Sequence, residues 1–189
     1  MKELQPLAQA PDLLPEAQFL SAIEALPLVS VDWVLSNPAG EILVGHRLNA
    51  PARDTWFTPG GRVRKGETLR QARTRIAVSE LGIAAALAEQ WIDRSEPMGA
   101  WDHLFPDSTM DANLPTHYVN LPFWLALSDA ELEFLRLPVG EQHREWAWVS
   151  ASRQLEGMAE AMELHAYVQP YADWVHRRLQ KDHQEHGLV

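Results

Sequence analysis

Pro59-Gly60-Gly61-Arg62-Val63-Arg64-Lys65-Gly66-Glu67 opens a segment that runs through Thr68 to Arg75 and closes on Ser79-Glu80-Leu81-Gly82-Ile83. Glu67 follows Gly61 after five intervening residues, and seven more separate Glu67 from Arg75. These are offsets that one loop, one helix and a second loop can use together. Two adjacent glycines permit a tight turn that aims a backbone carbonyl at a ligand. The spacing predicts a helix over 67–81, with the Glu67 carboxylate complementing the exposed amides at its start and Gly82 stopping it. Positions 76, 79 and 80 share one face of such a helix, and only Glu80 among them is acidic. Its large apolar residues are mainly Leu69, Ile76, Val78 and Leu81, so it is expected to rest on a sheet rather than to build the core.

The charge around this segment is opposite to that of the chain. The protein carries a formal net charge of -10, which argues against nonspecific nucleic-acid binding, where affinity comes from basic side chains on phosphates. Between Arg47 and Arg75, however, Arg47, Arg53, Arg62, Arg64, Lys65, Arg70, Arg73 and Arg75 face only Asp54 and Glu67. Positive charge gathered around a Gly-Gly turn suits a small anion such as a diphosphate; Arg70 and Arg73 read more simply as a solvated helix face. A length of 189 residues at 46% hydrophobic composition suits one well-buried domain with terminal additions. The absence of cysteine rules out disulfides and thiolate metal sites. Neither a signal-peptide core nor an apolar run of spanning length occurs, so a cytoplasmic protein with no membrane partner is expected.

Periodicity divides the rest of the chain. Residues 1–14 read as a loose N-terminal arm, 15–150 as the main domain and 151–189 as a C-terminal helical extension. Phe19, Leu20, Ile23 and Leu26 predict a helix over 16–25. Over 28–36 the pattern is that of a strand, with Val29, Val31, Trp33 and Leu35 on one face and Ser30, Asp32 and Val34 on the other. A turn at Asn37-Pro38-Ala39-Gly40 leads to a hairpin partner over 41–47. Further strands are expected at 56–58, 90–94, 98–105, 117–126 and 146–149, with a mobile loop over 105–115. Helical spacing recurs from Ser152 to Asp182, interrupted at Pro170. The histidines of the C-terminal tail read as solvated.

The opening segment resembles a Nudix box, the loop-helix-loop of hydrolases acting on nucleoside diphosphates linked to another group. The usual box continues from its arginine with Glu, an apolar residue, any residue and Glu-Glu; here the stretch is Arg75-Ile76-Ala77-Val78-Ser79-Glu80, without two of the three carboxylates. Hard cations need more oxygen ligands than one side chain supplies, so a multi-metal cluster is implausible and one ion is the natural count. The reduced box is similar to that of the GDP-mannose mannosyl hydrolases. Matching pieces follow in the same order over residues 15–168: Pro27–Asp32, Leu43–Arg47, Trp56–Val63, Trp101-Asp102-His103, Thr116–Val119 and Glu141-Gln142-His143. The resemblance implies an α/β (α+β) Nudix fold, a mixed β-sheet sandwiched between helices, with extra C-terminal helices.

It also implies a chemistry. Cleavage at phosphorus benefits from several metals, whereas attack at an anomeric carbon needs one metal and arginines on the departing diphosphate; the thinned carboxylates favour the second. By the resemblance, Gly60 (through its carbonyl), Glu80 and Gln142 hold one Mg2+ per subunit, with Mn2+ as a substitute. His143 is the general base, suited by its intrinsic pKa, and Arg47 and Arg62 clamp the diphosphate. Asp32 binds the sugar or the leaving-group end, and His103 and Tyr118 lie near substrate; their alternatives are an exposed strand residue and ordinary packing. Arg75 either contacts substrate or braces a carboxylate of the helix. The implied reaction is GDP-mannose or GDP-glucose plus water giving GDP and hexose, in a homodimer. Cleavage at phosphorus, or a non-catalytic nucleotide-sugar-binding module, are the competing readings.

Overall fold

A computed structural model describes residues 14–151 and 162–186. The expected arm (but for Leu14) and the first part of the expected C-terminal extension lie outside the described residues. In chain order the elements are α1 (Glu16–Ala25), β1 (Leu28–Ser36), β2 (Glu41–Arg47), β3 (Trp56–Phe57), β4 (Gly60–Arg62), α2 (Leu69–Leu81), α3 (Ala85–Arg94), β5 (Glu96–Pro97), β6 (Trp101–Phe105), β7 (Thr116–Ala126), α4 (Asp129–Leu132), β8 (His143–Ser150) and α5 (Val168–His186). The sheet runs β3-β2-β1-β7-β5, with β4 added to β1, β6 to β7 and β8 to β2. β1 and β7 are parallel from Leu28↔Tyr118 to Ser36↔Ala126, while β2 and β4 meet β1 antiparallel.

β1 sets the layers, because its successive side chains point to opposite faces. Val31, Trp33 and Leu35 pack with Ala72, Ile76 and Leu81 of α2 and with Ala88, Trp91 and Ile92 of α3. Val34 joins Ile42, Val44, Val168, Tyr171, Ala172 and Val175 beneath α5. The mixed sheet thus lies between helices, as expected. Both faces are buried, so nearly all of β1 is inaccessible although its sequence alternates only in part. No helix among the described residues is long and apolar enough to cross a membrane.

Several expectations are corrected. α2 is a core element: Ala72, Ile76, Ala77 and Leu81 are buried, its alanines filling space that large residues would not fit. It begins two residues after Glu67, at a capping box in which Thr68 and Gln71 bond each other's backbone amides. Residues 90–94 form the end of α3 instead of a strand. The Ala85-Ala86-Leu87-Ala88 run propagates the helix, and Ala88, Trp91 and Ile92 make its buried face at the i, i+3 and i+4 positions. The expected strand over 98–105 is shorter, only Trp101–Phe105 (β6) being extended, and Gly99 before it takes φ +111. Within the loop over 105–115, the Ser108 Oγ accepts from the Asp111 amide, and Thr116 donates to the Asp107 carbonyl at 2.6 Å.

Arg73 is not on a solvated face. It is buried with its guanidinium 3.6 Å from the Phe123 ring centroid and 4.7 Å from that of Trp33. Burial lowers its pKa to about 10, so it remains a cation held by two aromatic faces. Arg70 is exposed and pairs with Glu89 and Asp93 of α3.

The C-terminal segment is stitched to the sheet before α5 begins. The Trp56 amide donates to the Glu163 carbonyl at 3.2 Å, and the His165 amide donates to the Trp56 carbonyl at 3.0 Å. At the other end of the box, Gly82 ends α2 in the left-handed region at φ +66, and a β-carbon there would overlap the carbonyl of Arg136. Gly82→Ala is therefore expected to destabilise the protein by more than about 1 kcal/mol, measured as the midpoint shift in urea unfolding at unchanged m-value.

Candidate active site

The face of the sheet that carries Ser30 and Asp32 opens into a cavity of about 240 Å³. Arg47 comes from the end of β2, Gly60 and Arg62 from β4, His103 from β6, Tyr118 from β7 and Gln142 from the approach to β8; all line this cavity together with Asp32. Chain order keeps these residues far apart, and β1 with its neighbours brings them to one place.

Two cations form one wall. Arg47 donates through Nε to the Pro51 carbonyl at 3.0 Å. Burial pulls its pKa below the usual guanidinium value, opposed by the nearby charges of Glu80 and Asp32. Arg62 lies 3.7 Å above the Phe19 ring of α1 and is likewise lowered by burial. Among the described residues neither guanidinium has an ion-pair partner. Arg75 differs: its Nε and Nη2 grip Glu67 at 2.6 and 2.8 Å, and Nη2 also donates to the Arg62 carbonyl at 2.9 Å. Glu67 in turn accepts from the Arg64 amide at 2.8 Å, and Arg75 holds its pKa down. Arg75 thus braces the Gly-Gly loop from behind and is not on the cavity wall.

Asp32 lines the same cavity and is buried rather than exposed. Its Oδ2 accepts from Asn120 Nδ2 at 2.8 Å and from the Tyr171 hydroxyl at 2.9 Å. Asn120 is itself fixed by Ser30, whose hydroxyl donates to Oδ1 at 2.9 Å. Burial raises the pKa of Asp32 to about 6 in spite of these donors. Asp32 and Gly60 face each other as a non-hydrogen-bonded antiparallel pair, the arrangement that brings side chains closest. A β-carbon at Gly60 would overlap Asp32 Oδ1 and lie 2.9 Å from the Val31 carbonyl. His103 lies beside this group: Nε2 is 3.1 Å from the Tyr171 hydroxyl, and its ring stacks on Tyr167 at 4.0 Å. Burial lowers its pKa to about 4, so it is neutral at pH 7. Burial raises that of Tyr118.

The residues expected to hold a metal are oxygen donors of unequal standing. Pro59 and Val63 bond to β1 at 2.8 and 2.9 Å, so alternation turns the carbonyls of Gly60 and Arg62 away from that strand. Arg75 occupies the one at Arg62; the one at Gly60 has no hydrogen-bond partner among the described residues. Gln142 is exposed, with Oε1 3.4 Å from Asn49 Nδ2. Glu80 is buried, and only its Oε2 is engaged, 2.8 Å from His143 Nε2. Among the described residues no group of three His, Cys, Asp or Glu could hold a metal ion.

His143 is not brought into the cavity. It is 1% exposed, and its ring lies 4.2 Å from that of Trp146. It fills the space left by Gly45, where a β-carbon would overlap Nδ1. Nε2 is committed to Glu80, and Nδ1 is buried without a partner. In this arrangement neither nitrogen reaches a water in the cavity. The β2–β8 register slips between Gly45 and Arg47, and such a slip decides which side of a strand a residue faces. Reasoning from sequence also missed Asn120 and Tyr171. A lone asparagine inside the apolar run of β7 is a signal for a buried polar network; nothing comparable marks Tyr171.

The sequence matches the NUDIX domain family over residues 26–168. It is 33% identical over 160 residues to the low-salt glycan biosynthesis protein Agl8 of Haloferax volcanii, covering 85% of this chain and 89% of the relative. Among solved structures, a bifunctional NMN adenylyltransferase/ADP ribose pyrophosphatase of Francisella tularensis, complexed with AMP and a manganese ion, aligns with a TM-score of 0.60 at 19% identity over 86% of this chain; the chain spans 45% of that protein. The NUDIX domain of Shewanella oneidensis NrtR, complexed with ADP ribose, gives a TM-score of 0.56 at 17% identity, covering 88% of this chain and 99% of that one. At these identities the two structures speak for the fold alone.

The raised pKa of Asp32 fixes a sign. The folded protein holds this proton more tightly than the unfolded chain does, so the carboxylate costs stability as pH rises from its ordinary value of 3.8 through about 6. Asp32→Asn is expected to stabilise the metal-free protein at pH 8, by on the order of 3 kcal/mol at most. The gain should vanish below about pH 4, and unfolding in urea across that pH range checks it.

Proposed function

The chain belongs to the NUDIX hydrolase family, and from that premise we propose that it hydrolyses nucleoside diphosphate hexoses, releasing nucleoside diphosphate and free sugar by attack of water at the anomeric carbon. The observation that carries this reading is a cavity lined by two guanidiniums, Arg47 and Arg62, that have no ion-pair partner among the described residues, together with the Asp32 carboxylate. The cations suit a diphosphate and the carboxylate repels it, so a ligand with an anionic part and a hydroxyl-rich part has one favoured orientation. GDP-mannose and GDP-glucose are the first substrates to try, on the strength of the reduced box; the glycan-biosynthesis name of the Haloferax relative agrees with a sugar nucleotide.

The donor types present are those a single hard cation takes. The Gly60 carbonyl, Glu80 and the Gln142 amide oxygen would be its protein ligands, Mg2+ or Mn2+ being the ions that suit oxygen donors. Bound there, the ion would neutralise diphosphate charge. The protein's own groups supply the rest. Arg47 and Arg62 bind the diphosphate and stabilise it as it departs. Asp32, the one carboxylate on the cavity wall among the described residues, takes the proton of the attacking water. His143 holds Glu80 in place from behind, as a hydrogen-bonded histidine orients a ligating carboxylate.

Turnover of a panel of nucleotide sugars with Mg2+ in 18O-labelled water is the deciding experiment. Label is expected in the hexose; label in a phosphate product would assign cleavage to phosphorus instead. His143 has its own test. His143→Ala is expected to weaken Mn2+ binding roughly 10-fold or more, read by electron paramagnetic resonance. Unaltered metal affinity with kcat lost would return His143 to the role of general base.

A further inference from the structure

Tyr171 belongs to α5, beyond the residues matched by the family, which end at 168. It is fully buried and touches the cavity only through Asp32 and His103. Its hydroxyl has one proton, and that proton is given to Asp32 Oδ2 at 2.9 Å. The contact with His103 Nε2 at 3.1 Å must then run the other way, with His103 as donor, because two acceptors cannot bond each other. Asn120 Nδ2 also donates to the Tyr171 oxygen as well as to Asp32. The hydrogens therefore have one consistent direction: His103 and Asn120 donate to Tyr171, and Tyr171 and Asn120 donate to Asp32.

This chain of donors ends on one oxygen of one carboxylate. Oδ2 receives two hydrogen bonds at 2.8 and 2.9 Å, whereas Oδ1 lies over Gly60 with none of comparable strength among the described residues, Thr58 adding only the weakest side-chain hydrogen bond to the carboxylate. A carboxylate oxygen already accepting two donors is the poorer base, so the pattern leaves Oδ1 to act. His103, with its proton on Nε2, offers only the acceptor Nδ1 to anything else. It cannot donate to phosphate, and in its neutral form it adds no charge to the cationic wall.

We propose that Tyr171 is a positioning residue of the active site, whose hydroxyl locks the orientation of Asp32 and the tautomer of His103 so that Oδ1 of Asp32 is the oxygen presented to the attacking water. The catalytic half of this inference rests on the hydrolase reading above; the hydrogen-bond arrangement does not. α5 is then part of the active site and not merely a cover for the sheet.

Two measurements test it. Nitrogen-15 spectra of the histidine side chains at pH 8 are expected to show His103 as the Nε2–H tautomer in the unsubstituted protein and as a mixture in Tyr171→Phe, which removes one oxygen and keeps the ring. An Nδ1–H tautomer in the unsubstituted protein, or a spectrum unchanged by the substitution, overturns the arrangement whatever the turnover. Kinetically, Tyr171→Phe is expected to lower kcat about 10-fold or more, the scale of a lost hydrogen bond to a charged group. Its KM and its affinity for free nucleoside diphosphate should stay near the parent values. Added to Asp32→Asn, it should lower the residual rate no further. Full additivity of the two substitutions, or an equal loss of nucleoside diphosphate affinity, overturns the positioning role. An inactive parent protein with His103 in the Nε2–H form would retire the proposed reaction and with it the catalytic half, leaving the arrangement standing.

Discussion

A carboxylate shut away from water must be solvated by the protein itself. At Asp32 that task recruits Asn120 from β7, Tyr171 from α5 and, through Asn120, Ser30 from β1 itself. The bareness of Gly60 on β4 gives the carboxylate its place. Elements distant in sequence meet because one charge needs all of them. The donors do not fully offset burial, as the upward shift of the Asp32 pKa shows. This group therefore holds a proton more readily than an exposed aspartate, which is what a proton acceptor working near neutral pH requires.

The Glu80–His143 contact solves a related problem by different means. Glu80 lies on a helix that faces the core, and His143 on a strand that flanks the cavity, so the pair joins the two layers at 2.8 Å. Gly45 makes the room on β2, much as Gly60 does on β4. Each buried carboxylate thus has a strand glycine beside it or beside its partner, and in both places the missing side chain is what lets a polar group enter a close-packed interior.

What could be read in advance follows from how local the cause is. β1 was legible because alternation of apolar and polar residues is a property of neighbours, and the faces assigned to Trp33 and Asp32 are those observed. The end of α2 was legible because a glycine, Gly82, stands where the chain takes the left-handed turn. Residues 90–94 were misread because a short apolar stretch fits a strand or a helix, and the alanines that decide it come before the stretch. Arg73 was misread because its neighbours, Trp33 and Phe123, come from other strands. His143 turns on a register slip between β2 and β8 that no local pattern records. Tyr167 sits in the turn before α5 and Tyr171 at a buried helix position, and only the structure distinguishes the ring that packs on His103 from the hydroxyl that bonds Asp32.

The stitching of residues 163–165 onto Trp56 has an effect on assembly. β3 is the terminal strand of its sheet, and an open border of that kind offers amides and carbonyls to any passing extended chain. Here Trp56 spends both of its backbone groups on the protein's own C-terminal segment. At this border the template is occupied, so the molecule is guarded there against strand-by-strand polymerisation.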